Sequence, residues 1–381
     1  MPAKNKIKVA MVISKAEASL GGTQKQALRL ADELQSQEVS VFVLTKRKSR
    51  EHARGQGKEL NGRVQIIYLP VTDLQPGWSF LFSFLVWAWI NRGSFQIIHA
   101  HNAAMGVISS IVGWLIGKKV IVKIPSLKYV HYLNGGSLSR ELRRWIITRK
   151  TDRFVAVSTE MLEALRQAGI APEKLALISN GIQLTAACNT NSSALRKEVS
   201  GESERSVILF VGRLVKEKGL DRLLRVWASL TGHETMLLLI VGDGPLREDL
   251  ESQAKTLRLL PSVRFLGHQT DVSTLYCIAD LFVLPSKTEG MSNSLLEAMA
   301  AGLPVVASNV GGNKDVIKDQ QSGFLVDWED TTLCARMLLT LLSDTELRQR
   351  IGNAAKREVS AFAMGDVAER YHQLYQTVLR E

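Results

Sequence analysis

The sequence predicts an α/β fold of parallel sheets arranged in two domains, and three observations carry that expectation. Short apolar runs alternate with helical patterns along almost the whole chain, the rhythm of successive βα units. At 381 residues the chain is longer than one ordinary hydrophobic core serves. Near the middle, a polar stretch at 185–205, TAACNTNSSALRKEVSGESER, interrupts the alternation and reads as an irregular connection. The expected boundaries are 1–184 for the first domain and 185–361 for the second.

Taken in order, Lys8–Ser14 reads as a strand, too short an apolar run for a signal peptide and its cleavage site. A loop with Gly21 and Gly22 follows, then a helix over Gln24–Leu34 and a strand over Val39–Thr45. The basic stretch 46–63 reads as a loop. Val64–Pro70 and Gln96–His101 are strands, with Met105–Ile116 the helix of the second βα unit. Val120–Ile124 and Arg153–Ser158 are strands on either side of a basic segment, and Ser158 can cap a helix that ends at Gly169. The second series runs through a strand at Ser206–Gly212, a helix at Gly219–Leu230, a strand at Met236–Val241, a helix at Pro245–Leu257 and a strand at Val263–Leu266. Leu281–Leu284 is a buried strand; a polar loop with Gly290 leads to Ser292, Asn293 and Ser294, any of which can cap the next helix. That helix holds Leu295, Leu296 and Met299 and ends at Gly302 before Pro304, and Leu303–Ala307 is again a strand. Gly323–Val326 is a last short strand, and Thr331–Leu342, Asp344–Val359 and Val367–Arg380 are helices.

Charge and cysteines bound the function. The net charge of +11 is uneven: residues 1–180 hold 26 Lys and Arg against 12 Asp and Glu. The first half therefore suits an acidic partner. There is no nucleic-acid recognition motif or regular basic–aromatic interleaving, so an anionic membrane surface or phosphorylated lipid fits better, with a solvated basic face as the plain alternative. Cys188, Cys277 and Cys334 show no metal spacing and no disulfide framework, which agrees with a reducing, cytoplasmic setting. The run Trp78–Ile90, WSFLFSFLVWAWI, is too short for a membrane span, which needs about 20 residues. It reads either as a buried helix or as an interfacial element, and the Arg-rich segment 138–153 around Trp145 favours the second.

The chemistry concentrates at strand ends. Glu289 lies in the loop after Leu281–Leu284 and Glu297 in about the first turn of the helix that follows, so two carboxylates flank a helix N-terminus suited to an anion. Gly212 and Arg213, followed by Lys218, place two cations after another strand, suited to a diphosphate. Gly21–Gly22, Gly242–Asp243–Gly244–Pro245, Gly267–His268 and Val310–Gly311–Gly312 add loops that let backbone approach a ligand. Together they suggest a phosphate-bearing, hydroxyl-rich ligand.

These motifs resemble those of the retaining GT-B glycosyltransferases, the group 1, mannosyltransferase-like enzymes that use nucleotide sugars. The matching residues are VGRLVKEKG at 211–219, GDGP at 242–245, GH at 267–268, AD at 279–280, EGMSNSLLEAMAAGLPVVAS at 289–308, VGG at 310–312 and SGFLV at 322–326. In the first half GG at 21–22, IIHAH at 97–101, VAVS at 155–158 and NGI at 180–182 also match. The resemblance implies a GT-B fold, two Rossmann-like α/β/α domains with an interdomain cleft and a last helix, about 362–381, returning to the acceptor-binding first domain. It implies that Arg213 and Lys218 bind the donor diphosphate, that Glu297 holds the ribose and that Glu289 contacts the donor sugar. Gly290, Met291, Ser292, Asn293, Ser294 and Leu295 would meet the phosphates; Gly21, Gly22, Gly212, Gly242 and His268 would line the donor site. No cofactor and no divalent metal are implied. A histidine that many relatives carry after the strand Val120–Ile124 is replaced by Lys123–Ile124–Pro125–Ser126–Leu127, leaving His101 as a candidate near the chemistry and Lys123 as a contact for an acidic group. The expected activity is transfer of a sugar from a UDP- or GDP-sugar to a glycolipid, lipid-linked saccharide or polysaccharide, in bacterial surface-polysaccharide assembly on the inner face of the plasma membrane. A nucleotide-sugar epimerase and a non-catalytic nucleotide-sugar-binding subunit are the rival readings.

Overall fold

Two runs rich in β-branched and apolar residues, β1 (Ile7–Val12) and β2 (Val39–Lys46), pair in parallel from Ile7 opposite Val39 to Val12 opposite Leu44. The computed structural model of the chain describes residues 6–14, 21–46, 58–60, 63–72, 76–133, 138–184, 192–200, 205–232 and 235–381. The chain divides into two units, Met1–Gly181 with Met364–Glu381, and Ile182–Ala363.

In the first unit α1 (Gly22–Ser36) connects β1 to β2, and β3 (Lys58–Leu60), β4 (Val64–Leu69), α2 (Pro76–Ile90) and β5 (Ile97–Ala100) follow. Next come α3 (Ala103–Ile116), β6 (Lys119–Ile124), α4 (Leu127–Leu133), α5 (Leu138–Lys150), β7 (Arg153–Ala156), α6 (Thr159–Gln167) and β8 (Leu175–Leu177). The sheet order is β3-β4-β2-β1-β5-β6-β7-β8, parallel except for the edge strand β3. Side chains alternate between its faces. Phe80, Phe84 and Ala88 of α2, Val112 of α3 and Ile147 of α5 fill one core. Ala27, Ala31 and Leu34 of α1 fill the other, with Tyr371, Tyr375 and Val378 of the last helix, α15 (Met364–Arg380). The outer half of α2 is not buried: Trp78, Phe82, Val86, Trp89 and Ile90 are exposed. The run 78–90 is therefore a core helix and a surface element at once. Among the described residues no helix is long and apolar enough to cross a membrane.

The second unit starts with α7 (Ser192–Ser200) and β9 (Ser206–Val211), then α8 (Leu220–Ser229), β10 (Met236–Val241), α9 (Arg247–Thr256) and β11 (Val263–Gly267). It continues with α10 (Ser273–Ile278), β12 (Leu281–Leu284), α11 (Asn293–Ala300), β13 (Val305–Ser308), α12 (Asn313–Val316), β14 (Phe324–Val326), α13 (Thr331–Ser343) and α14 (Thr345–Val359). Its six strands are parallel in the order β11-β10-β9-β12-β13-β14. The central strands are buried on both faces, which is why β10 reads as the unbroken apolar run Met-Leu-Leu-Leu-Ile-Val.

Several expectations need correction. The polar stretch 185–205 contains a helix, α7, because Ala194, Leu195, Arg196, Lys197 and Glu198 are helix formers; its other residues, 185–191 and 201–204, lie outside those described. Arg196 of this helix pairs with Asp280 at 2.7 Å and donates to the Ile278 carbonyl, tying the helix to the unit. The loop expected over 46–63 includes β3, while 47–57 and 61–62 fall outside the described residues. Cys277 is disulfide-bonded, and Cys334 is a free thiol. The expectation of no disulfide is overturned, because pairing follows proximity in the fold and not spacing in sequence. The cysteine count then says nothing about a reducing compartment.

Candidate active site

The strand order of the second unit fixes where a ligand can enter. Counted along the chain from β9, the six strands lie in the order 3-2-1-4-5-6, so successive connections run in opposite directions from β9 and β12. Loops leaving these two strands diverge at their carboxyl ends and open a crevice there, the switch point of a doubly wound sheet. Gly212 and Arg213 follow β9, and Pro285–Gly290 follow β12.

Across this switch point Lys218 Nζ lies 2.5 Å from Glu289 Oε2. Ser286 Oγ donates to the same carboxylate oxygen at 3.0 Å. The two charged side chains are only 18% and 12% exposed, so water screens the pair weakly. Two close backbone approaches hold it. Gly219 takes φ +64°, and a Cβ there would fall 2.1 Å from the Pro285 carbonyl oxygen. Gly311 takes φ +53°, and its Cβ would fall 1.6 Å from the Glu289 carbonyl oxygen. The Gly312 amide donates to the Gly290 carbonyl at 3.0 Å. The loops after β9, β12 and β13 are thus locked together by backbone contacts that admit no side chain.

Arg213 is exposed at the end of β9, and among the described residues its guanidinium has no ion-pair partner. The Leu214 amide donates to the Asp243 carbonyl at 3.0 Å and the Gly242 amide to the Gly267 carbonyl at 2.8 Å, so the loops bearing Gly212, Gly242 and His268 form one connected edge. His268 is exposed on it.

The helix after Glu289 starts where its cap allows. Ser292 is the N-cap of α11, its Oγ accepting from the Leu295 amide at 3.3 Å and lying 3.1 Å from Ser294 Oγ. The Leu295 amide is therefore occupied, and its side chain is buried. Gly290 and Met291 are buried beside this start, and Asn293 and Ser294 are half-buried as its first two residues. Glu297 lies just past the first turn of α11, where Tyr276 donates to its Oε2 at 3.1 Å. The second unit thus gathers Gly212, Arg213, Lys218, Gly242, His268, Glu289–Leu295 and Glu297 along one sheet edge. Tyr276 and Ser286 orient the two glutamates and were not anticipated: an isolated tyrosine on a short helix and a serine after a strand carry no motif.

The first unit holds Gly21, Gly22 and His101. Gly21 is extended, with φ −68°, and Gly22 begins α1; neither takes a left-handed φ, so turn geometry does not demand glycine at either. His101 follows β5 but is 1% exposed, and neither ring nitrogen has a hydrogen-bond partner. Its ring lies 4.3 Å from that of His99, whose Nδ1 is 2.8 Å from the Tyr375 hydroxyl. Lys123, 2% exposed, donates to Asn180 Oδ1 at 3.0 Å and lies over the Tyr371 ring. In this conformation neither His101 nor Lys123 offers an exposed atom to a sugar or an acidic group.

Burial of these groups sets a pH dependence. Burial first, then the Lys123 charge, lowers the His99 pKa to about 3, and burial lowers His101 well below the usual histidine range. Below about pH 6.5 the unfolded chain binds protons that these folded histidines refuse, so stability falls as pH drops from about 6.5 toward 3. The slope approaches ~1.4 kcal/mol per pH unit for each histidine. Burial also lowers Lys123 to about 7, so its contribution makes stability rise from about pH 7 to about 10.5. Urea midpoints measured from pH 4 to 7 are expected to fall steeply on the acid side in wild type and less steeply in His99→Phe.

Comparison with known proteins gives the arrangement a family. The family model described as "Glycosyl transferases group 1" matches residues 192–358, and that described as "Glycosyltransferase Family 4" matches 20–186. The chain belongs to the group 1 glycosyltransferases. Among curated members it is 27% identical over 294 residues to N-acetyl-alpha-D-glucosaminyl L-malate synthase of Bacillus anthracis, covering 76% of this chain and 77% of that one. It is 27% identical over 305 residues to the UDP-Gal:alpha-D-GlcNAc-diphosphoundecaprenol alpha-1,3-galactosyltransferase of Escherichia coli, covering 75% and 76%. The crystal structure of Anabaena HepE in complex with UDP-glucose superposes with a TM-score of 0.82 at 19% identity, over 97% of this chain and 100% of that one. The fold of this glycosyltransferase is GT-B, and its activity is glycosyl transfer.

Proposed function

We propose that this glycosyltransferase is retaining and metal-independent, moving a sugar from a UDP- or GDP-sugar to a glycolipid, lipid-linked saccharide or polysaccharide. The observation that carries the reading is the Lys218–Glu289 pair at the switch point of the second unit's sheet, beside Arg213 and the N-terminus of α11. Lys218 is held by a carboxylate; a bound diphosphate would draw the ammonium to its oxygens and release Glu289 toward the sugar hydroxyls. Arg213 would share the diphosphate charge, and the start of α11 would add its dipole. Glu297, steadied by Tyr276, would accept hydrogen bonds from the ribose hydroxyls. The binding of UDP-glucose by the Anabaena relative and the UDP-Gal donor in the name of the Escherichia coli relative support a nucleotide-sugar donor.

The two glutamates fit hydroxyl binding better than an acid/base pair, since one is paired with a lysine and the other with a tyrosine hydroxyl. The reaction would then be a front-face substitution. The acceptor oxygen bonds to the sugar's anomeric carbon on the face from which the phosphate leaves, the carbon–oxygen bond to phosphate breaks, and the acceptor proton passes to the departing phosphate oxygen. The cations of Arg213 and Lys218 stabilise the charge that develops on that phosphate, electrostatic work that a metal ion does elsewhere. His101, buried in the first unit, would position its strand end without touching the sugar. A lipid-borne acceptor, as in the name of the Escherichia coli relative, would support work at the inner face of a bacterial plasma membrane in surface-polysaccharide assembly.

A panel of UDP- and GDP-sugars screened for thermal stabilisation identifies the donor. NMR of the product then gives the anomeric configuration. Stabilisation by one donor, with an unchanged anomer formed at full rate in EDTA, is the expected result. An inverted product, or turnover abolished by EDTA, contradicts the reading.

A further inference from the structure

We propose that the outer face of α2, α3 and α5 docks the protein on the interfacial zone of an anionic lipid bilayer. The proposal deepens the reading of a lipid-borne acceptor and takes its biological sense from it, but its chemistry rests on the surface itself. Thirteen large hydrophobic side chains are exposed among the described residues, and nine belong to these three helices: five on α2, with Trp114 and Leu115 on α3, and Leu142 and Trp145 on α5. The remaining four lie singly elsewhere. On α2, Trp78, Phe82, Val86 and Trp89 recur at helical spacing opposite the buried Phe80, Phe84 and Ala88. Ile90 and Trp78 are 74% and 72% exposed, far more than a core helix needs. α3 packs between α2 and α5, and all three lie on the same face of the sheet, so their outer sides form one surface.

Charge identifies the occupant. Between residues 76 and 150 the chain carries ten Lys and Arg and one acidic residue, Glu141. Of the ten only Lys123 is a buried residue among those whose side chains are described. The cations stand beside the tryptophans: Arg92 lies 4.7 Å from the Trp89 ring and Lys150 4.4 Å from the Trp114 ring. Tryptophan with flanking Arg and Lys is the combination that sits at headgroup depth, the indole among the acyl-chain ends and the cation on the phosphates. A second copy of this chain is a poor occupant, since a twofold contact would press the same cations against each other. α2 has 15 residues and is fastened to the sheet by its inner side chains, so it lies on the bilayer and does not enter as a span.

Flotation of the full chain with vesicles of phosphatidylglycerol and phosphatidylethanolamine, and with phosphatidylcholine vesicles as the uncharged control, tests the proposal. Wild type is expected to float with the anionic vesicles in a salt-sensitive manner, with a blue shift of tryptophan emission. The double variants Trp89→Ser/Trp114→Ser and Arg92→Glu/Lys150→Glu are each expected to lose about tenfold or more in partitioning. UDP-induced thermal stabilisation of the same variants should equal that of wild type, showing an intact second unit. Absence of flotation, equal flotation on phosphatidylcholine, or variants that float like wild type would overturn docking. So would a wild-type dimer that the same substitutions dissociate, which would make the face a protein interface. Flotation that persists without any donor binding would leave docking standing and sink the donor reading instead.

Discussion

Lys218→Ala is expected to lower kcat for sugar transfer by about 10²–10³-fold, the range seen when one pre-placed group facing a developing negative charge is removed. The effect should appear mainly in kcat, because the charge on the departing phosphate is larger in the transition state than in the bound donor. Part of any loss could come from Glu289, 12% exposed and left without its ammonium partner. Lys218→Arg separates the contributions. It keeps the positive charge near Glu289 but presents a planar fork in place of a compact ammonium, so the thermal midpoint should be near wild type while transfer remains impaired. Steady-state kinetics with a fixed acceptor read the first quantity and a melting curve the second.

Gly311→Ala is expected to destabilise the second unit by about 2–4 kcal/mol and to abolish donor binding. A methyl at this position would lie 1.6 Å from the Glu289 carbonyl oxygen, which is backbone and cannot rotate away. The loop after β12 must shift or the site must open. Gly302→Ala is the control. Gly302 also has a left-handed φ, +80°, but the nearest atom to an added Cβ there is the flexible Lys356 side chain at 3.9 Å. That substitution should cost only the backbone strain, about 1 kcal/mol, and leave binding intact. With ~2–4 °C of melting temperature per kcal/mol for a domain of this size, calorimetry resolves the two variants.

The parts of this fold that were legible in the sequence are those where local pattern and burial agree. β10 and β12 are buried on both faces and read as unbroken apolar runs, and α11 is bracketed by its cap Ser292 and by Gly302 before Pro304. The strand ends carry Gly242 and Gly311, whose close backbone contacts leave room only for glycine and so leave a mark in the sequence. The Lys218–Glu289 pair was not legible, because 71 residues separate its members and only the strand order brings them together. Helix α7 was hidden by the polar residues around it, and the Cys277 disulfide by the absence of any spacing rule. The run 78–90 was legible as apolar but not as two-faced: hydrophobic residues occupy both its buried and its exposed sides, so periodicity had nothing to separate.

Calorimetric titration of UDP into the full chain, in EDTA, for wild type and Lys218→Ala tests the placement of the donor most directly. The pair at the switch point predicts that wild type binds UDP without a metal, and that removing the ammonium weakens binding by about tenfold to a hundredfold, the value of a charge-assisted hydrogen bond. Equal affinity in the two proteins, or binding that appears only when a divalent metal is restored, would contradict it.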